Sequence, residues 1–355
     1  MSDRTPILPL PSLRMDREEF AAQLKRVAPA IESALGQWAL PETEPIANLD
    51  DGARYALGLE IEQPSQRGKR LRPALALLTC EALGGQASQV LPFAVAVELM
   101  HNYFLVHDDV EDGDTARHGR PTVWKRFGLA HGVNIGDYLH GRVAAIVLQS
   151  LDSGVAPATV LRLLRLLAET LDHTHRGQAL DMNARLSPDL TVEQYLAMVT
   201  EKTGYYLAAP LIGGAVVAGA GEPVLDHLRG YGAAIGPMYQ IADDLIDLTE
   251  SKGRGERGAD IREGKRSFMV AFALGRLEGT RRKELLAILD RPREATSPAD
   301  VARAIKILEQ CRAAEQAYAK IKELAEAARD AARRMPERLG GLLLGATDFL
   351  ESRTR

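Results

Sequence analysis

From about Glu18 onward, apolar residues recur at intervals of three and four. Leu24, Val27, Ile31 and Leu35 form one such stripe, as a helix burying a single face requires. The same period predicts helices over 72–83, 94–111, 135–151 and 156–184, and then over 191–218, 224–249, 267–277 and 299–333. Helix-breaking residues punctuate these segments: Gly84-Gly85, Gly113, Gly119-Arg120-Pro121, Ser187-Pro188, Gly221-Glu222-Pro223 and a glycine-rich run over 253–264. Alternating runs of strand length are nearly absent, which argues against a large sheet. The pattern predicts an all-α fold of roughly ten or more helices in one domain over 17–355, with 1–16 as a loose tail.

Of the 355 residues, 46% are hydrophobic and 26% charged, enough to bury a sizeable core. A net charge of −4 gives no global basic field to draw nucleic acid. Cys80 and Cys311 have neither a disulfide framework nor zinc spacing. The N-terminus mixes prolines among its apolar residues and lacks the unbroken apolar core of a signal peptide. The longest run of small apolar residues, 211–220, is too short to span a bilayer, so a soluble cytoplasmic protein without a transmembrane segment is expected.

Two acidic clusters change this picture. The first, HDDVEDGD, carries Asp108, Asp109 and Asp112. Asp108 and Asp112 are four apart and so share a helix face. Gly113 reads as the helix stop, which crowds the carboxylates where the helix dipole is already negative. A bound cation relieves that conflict, and oxygen-only ligands suit Mg²⁺. The second, QIADDLIDLTE, repeats the spacing with Asp243, Asp244 and Asp247. Either cluster alone reads equally well as a solvated helix end; two, each after an apolar run, point to an apolar pocket with a polar mouth.

Carboxylates with Mg²⁺ imply an anionic substrate, and phosphates draw Arg and Lys. Gly68-Lys69-Arg70-Leu71-Arg72-Pro73 places Lys69 and Arg72 three apart, on one face if a helix begins there. Arg117 and His118 follow the first cluster, Lys202-Thr203 lies in a helix, and Lys265 follows the second cluster.

In this order, GKRLRP, ELMHNYFLVHDDVEDGDTARHGRPT, NIGDYL, GQALD, EKTGYY, YQIADDLID and DIREGK resemble the trans-isoprenyl diphosphate synthases of the polyprenyl synthetase family, short-chain type. The resemblance implies a helical bundle around a deep cavity, a homodimer, and head-to-tail condensation of isopentenyl diphosphate with an allylic diphosphate. Asp108, Asp112 and Asp243 would hold three Mg²⁺ ions (with Mn²⁺ as a substitute), supported by Asp109, Asp244 and Asp247. Arg117, Lys202 and Lys265 would bind the allylic diphosphate. Lys69, Arg72, His101 and His118 would form the isopentenyl diphosphate pocket. Thr203 and Gln240, with Tyr206, would face the developing allylic cation.

Phe104 lies four residues before Asp108, one turn or about 5–6 Å deeper, beside Tyr103. Both rings are expected to floor the cavity. In the resembling family such residues accompany products of ten to twenty carbons, with fifteen favoured here. The chain departs from the family pattern at His118, which stands where a second arginine is usual. Ser267 replaces a common threonine, and Arg254 or Arg257, separated by Glu256, offers the only counterpart of a loop lysine. Alternatives are a class I terpene cyclase and a subunit of a heteromeric synthase. The cyclase needs no Lys69/Arg72 pocket, and the subunit would commonly have lost one acidic cluster.

Overall fold

Asp16 opens the helical part of the chain: its carboxylate accepts from the Glu18 and Glu19 amides, and Glu19 bonds back to the Asp16 amide. Met15 is buried beside it. The tail expected over 1–16 therefore ends before these two residues. The computed structural model describes residues 15–41, 43–62, 67–249 and 257–354, and the rest of the expected tail lies outside them.

The chain runs through α1 (Arg17–Trp38), α2 (Leu49–Ala56), α3 (Leu71–Ala82) and α4 (Ala87–Glu111) into a two-residue-per-strand hairpin, β1 (Ala116–Arg117) and β2 (Arg120–Pro121). It continues through α5 (Val123–Phe127), α6 (Leu129–Leu148), α7 (Pro157–Ala184), α8 (Val192–Val199), a π turn (Thr200–Gly204), α9 (Tyr205–Val217) and α10 (Glu222–Thr249). The last third holds α11 (Ala259–Arg262), α12 (Phe268–Leu274), α13 (Gly279–Leu289), α14 (Pro298–Gln310), α15 (Ala313–Arg333) and α16 (Glu337–Glu351).

α4 is the central helix, packed against α3, α6 and α9, while α10 packs on α9 and α15. Apolar on nearly all sides, α4 is long and hydrophobic enough to cross a membrane by composition, unlike the short apolar run over 211–220. Its apolar window is 72% buried inside the fold, so here it serves as a core helix. It begins seven residues before the expected start, because Pro92 is accommodated within the helix rather than ending it.

Other departures are local. The helix expected over 191–218 contains the π turn, and the one expected over 299–333 breaks at Arg312, whose φ is +55°. The period also passed over α2, α5, α13 and α16. α16 buries Leu339, Leu342, Leu343, Ala346 and Leu350, but Gly340, Gly341 and Gly345 disguise it as loop.

Candidate active site

The last turn of α4 delivers Asp108 and Asp109, and Asp112 caps it; Gly113, at φ +68°, ends the helix as expected. Arg117, from β1, donates to Asp109 Oδ1 through Nε at 2.8 Å and lies 3.4 Å from Asp108 Oδ2. Arg185, just past α7, is paired with Asp112. Burial raises the Asp109 carboxyl to about 6 against the pull of Arg117. Burial and then the neighbouring Asp108 raise Asp112, despite Arg185. The cluster is under the like-charge stress expected from its place at a helix C-terminus.

Gln178 on α7 faces this cluster, its amide nitrogen donating to Asp108 Oδ1 at 3.2 Å and Glu111 Oε2 at 2.5 Å. One turn on, buried Asp181 accepts from Lys202 Nζ at 2.7 Å, and the same ammonium lies 3.9 Å from Asp108. Lys202 and Thr203 sit in the π turn, where the extra residue per turn redirects side chains. Gly177 makes the approach feasible: a Cβ there would lie 2.2 Å from the Lys202 backbone nitrogen. Burial lowers the Lys202 pKa, but Asp181 and Asp108 outweigh it and hold the ammonium charged. The Asp181 carboxyl is pushed up by burial, yet Lys202, Lys265 and Arg185 together hold it below its ordinary range.

The second cluster ends α10. Asp244 is buried, accepting from the Tyr195 hydroxyl at 2.7 Å, the Gln240 amide at 3.1 Å and the Phe268 backbone at 3.3 Å. Asp247, also buried, accepts from the Asp260 amide at 3.1 Å. Both anchor the elements around them, while Asp243 reaches out to Arg353, 3.4 Å away, near the C-terminus. Lys265 joins the two clusters electrostatically. Burial alone would lower its pKa; Asp260, Asp181, Asp244 and Asp112, in that order, raise it well above its usual value. Thr203 Oγ1 donates to Gln240 Oε1 at 3.4 Å, so the two expected oxygens are adjacent.

Beside the first cluster opens a cavity of about 580 Å³ whose lining includes Lys69, Arg72, His101, Asp109, Arg117 and His118. Lys69 precedes α3 rather than sharing a helical face with Arg72, because Arg70 adopts left-handed backbone at φ +45°. The Lys69 ammonium lies over Phe349, and the Arg72 guanidinium over the ring of Tyr206, 4.3 Å from its centroid. Burial, then Arg72, holds His101 well below its ordinary pKa, so it is neutral beside Arg72 Nη1 at 3.4 Å. Tyr206 thus supports Arg72 instead of standing beside Thr203 alone. Arg70 is structural, bonding buried Glu98 at 2.7 Å and Glu32 at 2.6 Å.

The two rings expected to floor the cavity are in contact, with centroids 4.8 Å apart, and have further neighbours. Phe104 packs against His175 of α7 and Tyr206 of α9, with ring centroids 5.3 and 5.4 Å apart. Tyr103 turns toward α6 and α7 and hydrogen-bonds His175 Nε2 at 2.7 Å. Arg257 also departs from expectation: it bonds the Leu248 carbonyl and lies 3.5 Å from Glu309, closing α10 rather than facing the clusters. Arg254 lies outside the described residues. Ser267 caps α12, a task any small hydroxyl residue performs, which explains its exchange for threonine.

A family model described as Polyprenyl synthetase matches residues 61–308. The chain belongs to the polyprenyl synthetase family. It is 36% identical over 255 residues to the short chain isoprenyl diphosphate synthase of Methanothermobacter thermautotrophicus, covering 71% of this chain and 76% of that protein. Identity to the geranylgeranyl diphosphate synthase of Methanosarcina mazei is 36% over 254 residues, 71% of this chain and 74% of the relative. The crystal structure of geranylgeranyl pyrophosphate synthetase from Pyrococcus horikoshii superimposes with a TM-score of 0.81 at 29% identity, covering 94% of this chain and 98% of that one. The protein is accordingly a prenyltransferase of the short-chain trans-prenyl synthase type.

The family acts on isoprenyl diphosphates with a divalent metal, and the donor set here suits one. Besides the stressed carboxylates, Gln178 Oε1 and Asp181 Oδ1 are buried oxygens with no hydrogen-bond partner among the described residues. Among those residues no three His, Cys, Asp or Glu groups converge as a closed cage. Open, all-oxygen donors of this kind suit Mg²⁺, which usually takes one or two carboxylates plus phosphate oxygens. Sequence reasoning singled out neither Gln178, Asp181, Arg185, Glu263 nor Arg293. Gln178 and Asp181 had a signal, the three-residue spacing within GQALD; Arg185 and Arg293 reach the site only through the tertiary fold.

Proposed function

We propose that the protein catalyses the Mg²⁺-dependent condensation of isopentenyl diphosphate with an allylic diphosphate and releases a fifteen-carbon prenyl diphosphate. The observation that carries this reading is the convergence of the α4 and α10 carboxylates with Lys202 and Lys265, one helical turn from the Phe104 ring and its aromatic neighbours. Mg²⁺ held by Asp108, Asp112 and Asp243 would add positive charge at the diphosphate oxygens. Arg117, Lys202 and Lys265 bind the same group and stabilise it as it leaves the allylic carbon. The Thr203 hydroxyl and Gln240 carbonyl face the electron-poor carbon left behind. Asp244, by accepting from the Gln240 amide, fixes which end of that side chain points inward.

In the adjoining cavity, Lys69, Arg72, His101 and His118 hold isopentenyl diphosphate with its double bond toward that carbon. The new carbon–carbon bond forms once the allylic C–O bond has ionised, and the proton lost from the isopentenyl unit passes to the departing diphosphate. The aromatic layer one turn below Asp108 supports a product at the short end of the family's range, so fifteen carbons is preferred over twenty. A homodimer through α6 is part of the same reading: its outward face carries Val133, Ala144, Ala145 and Leu148, an apolar strip of small residues suited to close helix packing.

Purified protein with Mg²⁺, labelled isopentenyl diphosphate and dimethylallyl, geranyl or farnesyl diphosphate tests this directly. Extension ending at fifteen carbons supports it; no extension from any primer overturns it. Turnover of an allylic diphosphate without isopentenyl diphosphate would favour a cyclase.

A further inference from the structure

The hairpin between α4 and α5 reverses through His118 and Gly119, at φ +51° and +74°. Positive φ at both central residues makes a tight turn that sets the flanking residues directly opposite each other, here Arg117 and Arg120. Residues paired in this way project from one face of the ribbon, where like charges repel. Arg117 is answered by Asp108 and Asp109. Arg120 is placed differently. Its guanidinium lies over the ring of Tyr55, 4.0 Å from the centroid, and its Nη2 is 3.6 Å from Glu60 Oε2, beyond hydrogen-bond length. Arg126 of α5 lies over the same ring and holds the same Glu60 oxygen more closely, at 3.2 Å. One carboxylate thus serves two guanidiniums.

Arg120 lines the cavity of about 580 Å³, whereas Arg126 and Glu60 are not part of its lining. Of the acids that are, Glu98 is taken by Arg70 and Asp109 by Arg117, so the cavity offers its contents an excess of positive charge. Resting on the synthase reading, we propose that Arg120 is a further binding residue for the diphosphate group of isopentenyl diphosphate. Stacking on Tyr55 uses the flat face of the guanidinium and leaves its in-plane N–H groups for oxygen acceptors. Tyr55 is buried, and its hydroxyl donates to the Pro121 carbonyl at 2.6 Å, so ring and hairpin support Arg120 as one unit. Lys69 and Arg72 come from the α3 side of the cavity and Arg120 from the hairpin, which grips the diphosphate from two walls. The paired arginines then serve one substrate each: Arg117 at the first acidic cluster, Arg120 in the adjoining cavity.

The test compares Arg120→Gln with Arg126→Gln, which takes a guanidinium from the same ring and the same carboxylate but from outside the cavity. Calorimetric titration of isopentenyl diphosphate into Mg²⁺-free protein reads its affinity, and steady-state rates read both KM values. Arg120→Gln should weaken isopentenyl diphosphate binding and raise its KM about tenfold or more, leaving the KM for the allylic diphosphate within about twofold. Arg126→Gln should leave all three values within about twofold. Arg120→Lys, a milder change that keeps the charge and loses the planar fork, should show the same selectivity at smaller size. Unchanged affinity in both Arg120 variants would overturn the proposal. An equal loss in Arg126→Gln would also overturn it, by assigning the effect to the Tyr55–Glu60 support. A parent protein that extends no primer would sink the synthase reading, and the Arg120 comparison would then be decided by the titrations alone.

Discussion

At the residue scale, two side chains at this site, His118 and Glu263, yield measurable effects. His118 lines the isopentenyl cavity at φ +51° in the tight hairpin after Arg117. An imidazole loses its charge through the physiological range where a guanidinium does not. His118→Arg should therefore lower the KM for isopentenyl diphosphate several-fold; an unchanged KM would remove His118 from the pocket. Glu263 is buried 3.6 Å from Arg293, and burial, then Asp260, Asp112 and Asp114, push its carboxyl up to about 8. A raised carboxyl binds its proton more tightly in the folded chain than in the unfolded one. Its contribution to stability is thus complete below the unfolded pKa and is lost as pH rises through about 8. Glu263→Gln should accordingly hold its Tm more nearly level than the parent between about pH 6 and 9, a difference thermal melts would resolve. That Asp108, Asp112, Lys202 and Lys265 belong to one site could be read from motif and spacing. The contacts of Arg185 and Arg293 with Asp112 could not, because nothing local marks a residue whose partner lies 70 or more positions away.

At the element scale, the site depends on a close approach of α7, the π turn and α10. Gly177 admits the Lys202 backbone, and Gly236 admits Gly204: a Cβ at Gly236 would lie 2.4 Å from the Gly204 Cα. Neither backbone can yield as a flexible side chain would. Gly177→Ala should cost about 1–3 kcal/mol of stability and lower kcat on the order of a hundredfold by moving Lys202 from Asp181. Denaturant melts and steady-state rates separate the two effects; full activity in a folded variant would show that the turn tolerates displacement. The period of the sequence identified the segment as helical, since α-helix flanks the π turn on both sides. It could not reveal the π turn, whose single extra residue leaves the apolar stripe intact on either side. For the same reason the clusters were placed correctly on helix ends, whereas the neighbours that His175 of α7 and Tyr206 of α9 supply to the Phe104 ring could not be read from one helix.

At the scale of the whole molecule, the all-α reading held because the core period runs through nearly every segment. α4 illustrates its limit, being so uniformly apolar that composition alone does not distinguish a core helix from a membrane span. The outward face of α6 leads to a test of assembly. Ala145→Glu should convert a species of twice the chain mass into a monomer by sedimentation; an unchanged mass would place the interface elsewhere. A last consequence follows from the ion pairs themselves. Arg117 sits on Asp108 and Asp109, Arg185 on Asp112, and Lys202 between Asp181 and Asp108. The groups a divalent cation would attract are already neutralised by the groups a diphosphate would attract. Either ligand arriving alone must break these pairs and leave charges stranded, whereas the two arriving together exchange partners without loss. The affinities are therefore linked. Diphosphate should tighten Mg²⁺ binding, and Mg²⁺ should tighten diphosphate binding, by one common factor on the order of 5–150. Calorimetric titrations run in both orders would measure it, and equal affinities with and without the second ligand would mean that these pairs survive binding.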